Sequence, residues 1–205
     1  MSDNLTEDQQ VEELKKWWKE NGRSIIVGAV MGIALIGGWQ GWQGYQENQA
    51  EAGAAAYDQF SGKIQSNDAG SAAAELNALH AEHGDTLYAA FANLQMALAQ
   101  ISSGDADAAA GQLQQVISGS KDQGLVQIAA VRLARLYASQ EKFAEARQAL
   151  KHVTSPAFEA ESLAIEGQVA LGEGNLEAAQ VALTAAQEKG ASDSEMIRYL
   201  LQQLE

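Results

Sequence analysis

The sequence predicts an all-α protein in which a single N-terminal membrane-spanning helix precedes an array of helical repeats. Three observations predict this class. Residues 24–46 carry no charged side chain. The chain is rich in alanine, a strong helix former, and contains only one proline. A turn followed by an alanine-rich stretch recurs along the second half of the chain.

Composition excludes several classes of protein. The 205 residues carry a formal net charge of -14 and include no cysteine. Disulfide scaffolds, zinc ribbons and thiol nucleophiles are therefore excluded. A nucleic-acid binder needs a basic face, which this charge balance opposes. Few β-branched residues argue against a sandwich or barrel, and 46% apolar residues are too many for a disordered chain.

The uncharged run from Ser24 to Gln46 is long enough to cross a membrane. It forms roughly 34 Å of helix, against a hydrocarbon core of roughly 30 Å. Its far end carries aromatic side chains of the kind found at headgroup level, namely Trp39, Trp42 and Tyr45. Four basic residues precede the run within a short stretch: Lys15, Lys16, Lys19 and Arg23. The positive-inside rule predicts a cytoplasmic segment (1–23), a transmembrane helix (24–46) and a periplasmic domain (47–205) of a bacterial inner-membrane protein.

Two alternatives remain open for this run. One is a cleaved signal peptide, for which the alanines at 54–56 offer a small-residue site, although the stretch before the run holds six acids. The other is a buried helix of a soluble domain.

The polar stretch before the run has an apolar face, formed by Val11, Leu14, Trp17 and Trp18, which we expect to lie along the cytoplasmic membrane surface.

The run also contains two pairs of glycines four residues apart, Gly28 with Gly32 and Gly37 with Gly41. Small residues at this spacing allow two helices to pack closely in lipid. Glycine is common in membrane helices without such contact. If a partner helix packs here, it comes from another copy of the chain, making a homo-oligomer, or from another membrane protein.

Residues 47–205 repeat a turn followed by an alanine-rich helix. The turns begin at Asn67, Gly104, Glu141 and Gly174, separated by 37, 37 and 33 residues. Small residues lie seven before the three later turns (Ala97, Ala134, Gly167) and five after them (Ala109, Ala146, Ala179). Leucines lie nine after them (Leu113, Leu150, Leu183). This pattern resembles degenerate tetratricopeptide repeats, which have a period of about 34 residues and stack helix pairs into a solenoid. A plain alanine-rich bundle is the alternative.

The last residues predict a helix that closes the stack. Ser192 and Glu195 have the spacing of a capping box, in which a hydroxyl and a carboxylate satisfy the first amides of a helix. Apolar residues follow at helical spacing, with Met196 and Ile197 among them.

Catalytic motifs are lacking in this sequence. His80 and His83 are three residues apart, but a zinc site needs a third or fourth ligand, and the interpretation we favour is a surface histidine pair. No glycine-rich phosphate loop follows a predicted strand. We therefore expect a binding protein, not an enzyme, without a metal or another cofactor.

Repeat arrays of this kind bind partners in a groove lined by the first helix of each pair. The candidate residues for that groove are Arg132, Arg135 and Tyr137, with Phe91, Asn93, Leu94 and Gln127 as further candidates. Core packing is the favoured role for Phe91, Leu94 and Tyr137. Arg132 and Arg135 lie in a segment with 9 basic and 21 acidic residues, so they either bind a partner's carboxylate or neutralise nearby acids of the chain.

The whole layout resembles the YfgM family of ancillary SecYEG translocon subunits. The most specific part is the opening EELKKWWKENGRSIIVGAVMGIALIGGWQGWQGYQ, from Glu12 to Gln46. The resemblance implies one N-terminal helix in the inner membrane and a periplasmic tetratricopeptide-like domain. It also implies association with the SecYEG translocon and with a membrane-anchored periplasmic chaperone of the PpiD type, in an adaptor that passes newly exported, unfolded proteins to chaperones. The resemblance assigns no individual binding residues.

Two functional hypotheses follow. The first is this translocon-associated adaptor. The second is a scaffold for another envelope complex, such as outer-membrane assembly or cell division, that uses the same repeat surface.

Overall fold

The computed structural model describes residues 7–204, with side chains from Gln10 onward. This part of the chain is helical and contains no strand. Its helices are α1 (Glu7–Gln65), α2 (Ala69–His83), α3 (Leu87–Ser103), α4 (Ala106–Gly119), α5 (Gln123–Ser139), α6 (Phe143–Leu150), α7 (Glu159–Gly172), α8 (Leu176–Glu188) and α9 (Ser194–Gln202), with a short 3-10 turn at Pro156–Phe158. The predicted all-α class is confirmed.

The chain divides into two compact units after Gln49. In the first unit, α1 contains the one helix in residues 10–204 that is long and apolar enough to cross a membrane. Its large apolar side chains from Ile25 to Ile36 are exposed, as a lipid-facing surface requires. The limits of the membrane along α1 and its orientation stay predictions.

The polar stretch before the span is part of the same helix. Helical structure is unbroken from Glu7 through residue 46, and no loop or turn interrupts residues 7–24. Whether this stretch lies along the membrane surface stays a prediction. A turn between this stretch and the run would interrupt the i to i−4 hydrogen bonds, and residues 7–46 contain no such interruption.

The second unit contains four helix pairs. The end of α1 pairs with α2, and the following pairs are α3 with α4, α5 with α6, and α7 with α8. A left-handed residue lies at each predicted turn: Asn67 (φ 55°), Gly104 (φ 86°), Glu141 (φ 59°) and Gly174 (φ 78°). At each turn the following amide bonds back to a carbonyl five residues earlier, as in a Schellman motif. The predicted repeat starts are confirmed, including the faint one at Asn67.

The residue after each turn begins the second helix of the pair. Asp68, Asp105 and Asn175 each accept a hydrogen bond from the backbone N–H three residues on, at 3.0–3.1 Å. At Asp68, the Ser71 hydroxyl and the Ser71 backbone N–H hold the pKa of the carboxyl below its usual range by hydrogen bonding to it. Lys142 lies at the equivalent position of the third pair and makes no such bond.

The predicted small residues and leucines form the core of the second unit. Ala97, Ala134 and Gly167 are buried on the first helices of their pairs, and Ala109, Ala146 and Ala179 are buried on the second helices. Leu113, Leu150 and Leu183 are also buried on these second helices. The first pair departs from the pattern, because the large, fully buried Phe60 occupies the position seven residues before its turn.

The last helix closes the array, as predicted, but its start differs. Ile197 is fully buried on α9 and packs against α7 and α8. Ser192 is not the N-cap: the first helical hydrogen bond runs from Ile197 N–H to Asp193 C=O. The Schellman turn at Gly190 places Ser192 in the loop, because Ala191 is buried and bonds back to Ala186. Glu195 then lies at the second helical position, where it cannot complete a capping box.

Candidate protein-binding surface

The most prominent exposed apolar feature of the second unit is a stripe along α3. Leu87, Phe91, Leu98 and Ile101 are exposed, and Leu98 is 60% exposed. At helical spacing they share one face, whose middle is filled by the buried Leu94. The opposite face of α3 carries the buried Ala89, Ala92 and Met96. We call these four residues the α3 stripe.

An aromatic group supports one edge of the α3 stripe. The Phe91 ring lies 6.4 Å from the Tyr57 ring and 6.5 Å from the Tyr88 ring, measured between centroids. The Tyr57 hydroxyl donates to the Gln95 side-chain oxygen at 3.1 Å, and the Gln95 amide donates to Ser61 at 3.3 Å. These contacts tie the end of α1 to α3. The α3 stripe therefore lies on a helix whose backbone is held in place by its neighbour.

The two arginines of α5 differ in their surroundings. Arg135 Nη2 lies 3.0 Å from the Asp193 carboxylate, just before α9. Arg132 is exposed and makes no ion pair with any residue from Gln10 to Leu204. Counted from their turns, Arg132 and Arg135 occupy the positions that Gln95 and Leu98 occupy on α3. The counterpart of the stripe residue Leu98 is therefore Arg135, which is held by an acid of the chain itself, whereas the exposed Arg132 corresponds to Gln95, beside the stripe.

Tyr137 lies on a different face of α5 from the arginines. Its hydroxyl accepts a hydrogen bond from Gln114 on α4 at 2.9 Å, and the Lys142 ammonium lies 5.8 Å from its ring centroid. The structure therefore does not bring the three predicted groove residues together on one face. Whether any of them binds a partner stays a prediction.

Three further groove candidates are structural. Leu94 is part of the main core. Asn93 is buried, and its side-chain oxygen lies 2.9 Å from Nε2 of His80. Gln127 is buried, and its side-chain oxygen accepts from the backbone N–H groups of Thr154 and Ser155 at 2.9 and 2.6 Å. Each of these polar groups pairs with a distant part of the chain, so the sequence alone could not show its role.

A cavity of about 620 Å³ lies where α2, α3 and α4 meet, beside this His80–Asn93 pair. Thr86 and Lys121 are among the polar residues that line it. His80 is thus half-buried and hydrogen-bonded, so the prediction of a surface residue is wrong for His80. No cluster of three metal-ligating side chains occurs in the described part of the chain.

The glycines of the span point outward on two different faces. A Cβ added at Gly28, Gly32, Gly37 or Gly41 would meet no other atom within 4 Å. At about 100° per residue, Gly28 and Gly32 lie roughly opposite Gly37 and Gly41. At the far end, the Trp39 and Trp42 rings lie 5.3 Å apart, and the Tyr45 hydroxyl accepts from Gln49 at 3.3 Å. The span therefore presents two separate small-residue surfaces.

Comparison with known proteins agrees with this architecture. A family model described as "Tetratricopeptide repeat-like domain" matches residues 15–205. A Haemophilus influenzae protein named "Ancillary SecYEG translocon subunit" is 30% identical over 93% of both chains. The chain belongs to this family.

Two further relatives carry the same name. The Aggregatibacter actinomycetemcomitans protein is 29% identical over the full length of both chains. The Escherichia coli protein is 28% identical over 87% of this chain and 86% of its own. No solved structure matches the chain significantly. The family resemblance and the tetratricopeptide-like fold predicted from the sequence are both confirmed.

The α3 stripe was only partly visible in the sequence. Leu87, Phe91, Leu94, Leu98 and Ile101 already have the spacing of one helix face. Core packing was the favoured interpretation for Phe91 and Leu94. It is correct for Leu94, whereas Phe91 remains 38% exposed. The sequence signal for an exposed Phe91 is that α3 has two apolar faces. A helix with two apolar faces leaves one of them exposed unless other helices pack on both sides.

Proposed function

We propose that this protein is a membrane-anchored ancillary subunit of the SecYEG translocon that binds other proteins through its repeat domain and catalyses no reaction. Three relatives named as ancillary SecYEG translocon subunits support the association with the translocon. The α3 stripe is the observation that supports the binding role. Several large apolar residues exposed on one helix face are typical of an interaction surface.

The α3 stripe suits apolar segments of newly exported, unfolded polypeptides. Such segments expose side chains that gain from burial against Phe91 and Leu98, at about 25 cal/mol per Å² of apolar surface. Arg132, which is exposed on the next repeat and forms no ion pair with a described residue, suits a carboxylate or a backbone carbonyl of the same segment. The acidic balance of residues 47–205 favours cationic clients by long-range attraction.

The topology in this proposal places residues 1–23 in the cytoplasm and the repeat domain in the periplasm. The basic residues before Ser24 and the acidic domain beyond Gln46 support this orientation. A periplasmic domain anchored by one helix remains close to the channel exit. It is then in position to bring exported chains to a periplasmic chaperone of the PpiD type.

Site-specific photocrosslinking in intact membranes tests this proposal. A photoreactive amino acid replaces Leu98 in the α3 stripe, and a matched variant carries it at Val181 on α8. Val181 is 67% exposed, close to the 60% of Leu98, but belongs to the second helix of its pair. Crosslinked partners are identified by mass spectrometry, with and without arrest of export.

We expect Leu98 to crosslink exported chains, translocon subunits or a chaperone, and arrested export to increase the exported-chain products. Val181 should give few of these products. Equal products from both positions would show that the α3 stripe is not the binding surface. If other envelope proteins, such as outer-membrane assembly or division factors, replaced the translocon subunits, the scaffold hypothesis would replace the adaptor.

The glycine surfaces of the span are tested separately. Gly28→Leu with Gly32→Leu fills one surface, and Gly37→Leu with Gly41→Leu fills the other. If a helix of the translocon or of a second copy packs on one surface, only the corresponding pair of changes should lower the yield of that complex in mild detergent. If neither pair of changes altered the yield of the complex, the span would serve only as a membrane anchor.

A further inference from the structure

We propose that a basic stripe on α1, formed by Lys15, Lys16, Lys19 and Arg23, binds the phosphate groups of anionic phospholipids. The four residues immediately precede the uncharged run of the span. The proposal depends on the span lying in a membrane, and it is independent of which proteins the repeat domain binds.

The four cations share one face of α1. At about 100° per residue, they lie within a sector of about 100° and span about 12 Å along the helix axis. All four are exposed. Because the helix is continuous into the span, the stripe continues along the same axis to the membrane boundary.

These cations are not neutralised within the described chain. None of them forms an ion pair with a described residue, although three acids are close in sequence. Glu13 and Glu20 lie outside the sector, on the side next to Lys16. Glu12 lies within the sector, at the end farthest from the span. The end of the stripe nearest the membrane is thus purely cationic.

Two exposed apolar side chains of this stretch, Leu14 and Trp17, lie on the opposite side of the helix. Trp18 is also exposed and lies outside the sector, about 60° from Lys15. The Trp18 ring lies against Gly22, where an added Cβ would be only 3.1 Å away, and Asn21 bonds to the Trp17 carbonyl at 3.0 Å. The indoles and the cations therefore face different directions, and an anion can approach the cations without displacing the rings.

The position of the stripe favours a lipid over a soluble anion. The headgroup layer is about 5–8 Å thick on each side of the hydrocarbon core. Arg23 and Lys19 lie within about 8 Å of Ser24 along the axis, so both are at phosphate level. Lys15 and Lys16 lie a further 5–6 Å out, within a Debye length of about 8 Å. A lipid phosphate at the span is therefore close to Arg23 and Lys19 and within the electrostatic range of Lys15 and Lys16.

Native mass spectrometry of the full chain in mild detergent tests the proposal. The protein is supplied with equal amounts of phosphatidylglycerol and phosphatidylcholine with identical acyl chains, and the retained lipids are counted. Three variants are compared with the unaltered chain. The first replaces the four cations by glutamine, and the second is the charge-retaining set Lys15→Arg, Lys16→Arg, Lys19→Arg and Arg23→Lys. The third, a matched control, replaces Lys63, Lys121, Lys151 and Lys189 of the second unit by glutamine.

Each cation near an anionic surface changes lipid affinity by about five-fold. We expect the unaltered chain, the charge-retaining set and the matched control to prefer phosphatidylglycerol by at least about ten-fold, and the glutamine set to lose this preference. Circular dichroism should show unchanged helix content in every variant. The proposal is overturned if the unaltered chain shows no preference, if the glutamine set keeps it, or if the matched control loses as much.

Discussion

Gly167→Ala tests how closely the helices of the fourth pair approach. An ideal Cβ at Gly167 on α7 would lie 2.6 Å from Cγ of Leu183 on α8 and 2.7 Å from its Cδ2. It would also lie 3.3 Å from the Leu183 backbone nitrogen. Leu183 is fully buried and cannot swing into solvent. The methyl group therefore requires the two helices to move apart.

The size of the effect follows from two opposing contributions to the free energy of unfolding. Overpacking a buried site costs about 1–3 kcal/mol, and the close backbone approach places Gly167 in the upper part of that range. Replacing glycine by alanine inside a helix contributes about 1 kcal/mol in the other direction. We expect a net loss of about 1–2 kcal/mol, which lowers Tm by roughly 2–8 °C for a chain of this size.

The assay is thermal unfolding of the full chain in mild detergent, followed by far-ultraviolet circular dichroism. Gly111→Ala on α4 is the matched control, because Gly111 is exposed and its added Cβ would meet nothing within 4 Å. It should gain about 1 kcal/mol from helix propensity alone, so its Tm should rise by roughly 2–4 °C. A similar rise for Gly167→Ala would refute the close packing of α7 on α8.

A double-mutant cycle then assigns the cost to the pair. Leu183→Ala removes the two atoms nearest the new methyl group and alone costs about 2–5 kcal/mol. In that background, Gly167→Ala should become neutral or stabilising, which corresponds to a coupling of about 2 kcal/mol. Strict additivity of the two changes would show that the cost of Gly167→Ala arises elsewhere.

Three further changes test the repeat turns and the polar contacts of the core. Glu141→Gly should raise the free energy of unfolding by about 1 kcal/mol, measured by thermal denaturation, because Glu141 holds φ at 59°, a conformation that costs a non-glycine residue about 1–2 kcal/mol. Gln127→Leu should cost about 2–4 kcal/mol, because it leaves the buried N–H groups of Thr154 and Ser155 without an acceptor. Hydrogen exchange at those two amides should accelerate more than at the core of α3. Asp68→Asn concerns acid stability: the pKa of Asp68 is lowered from 3.8, so its contribution is present above that pH and is lost as pH falls below it. The asparagine variant keeps a side-chain acceptor for the cap, and its stability should change less between pH 5 and pH 2, about the range over which such carboxyls titrate. An unchanged acid profile would show that Asp68 carries none of this dependence.

The turn and core pattern of the repeats could be predicted because it is carried by short segments. A left-handed position suits glycine or asparagine, so Gly104, Gly174 and Asn67 mark turns by themselves. Glu141 was identified only through its register with the others, because glutamate has no preference for that conformation. The register also located Gly167, whose contact with Leu183 explains why that crossing accepts no side chain.

The candidate binding residues were predicted less well, because their surroundings depend on partners far along the chain. Arg135 is held by Asp193, and Tyr137 is held by Gln114. Neither pairing can be recognised from the residues around Arg135 or Tyr137 in the sequence. The start of α9 was missed for a related reason, since the buried Ala191 decides where the preceding loop ends.

The sequence by itself determined the all-α class, the repeat register and the candidate membrane helix, because each depends on the local spacing of apolar, small and charged residues. The family was indicated by the resemblance of the chain to known proteins. The tertiary structure alone decided which polar side chains remain available. It buried Gln127 against the segment before α7, engaged Arg135, and left Arg132 and the α3 stripe exposed. The physical reason is that burial and pairing are properties of the stacked helices. A helix with two apolar faces buries one of them against its own array and leaves the other exposed to a partner.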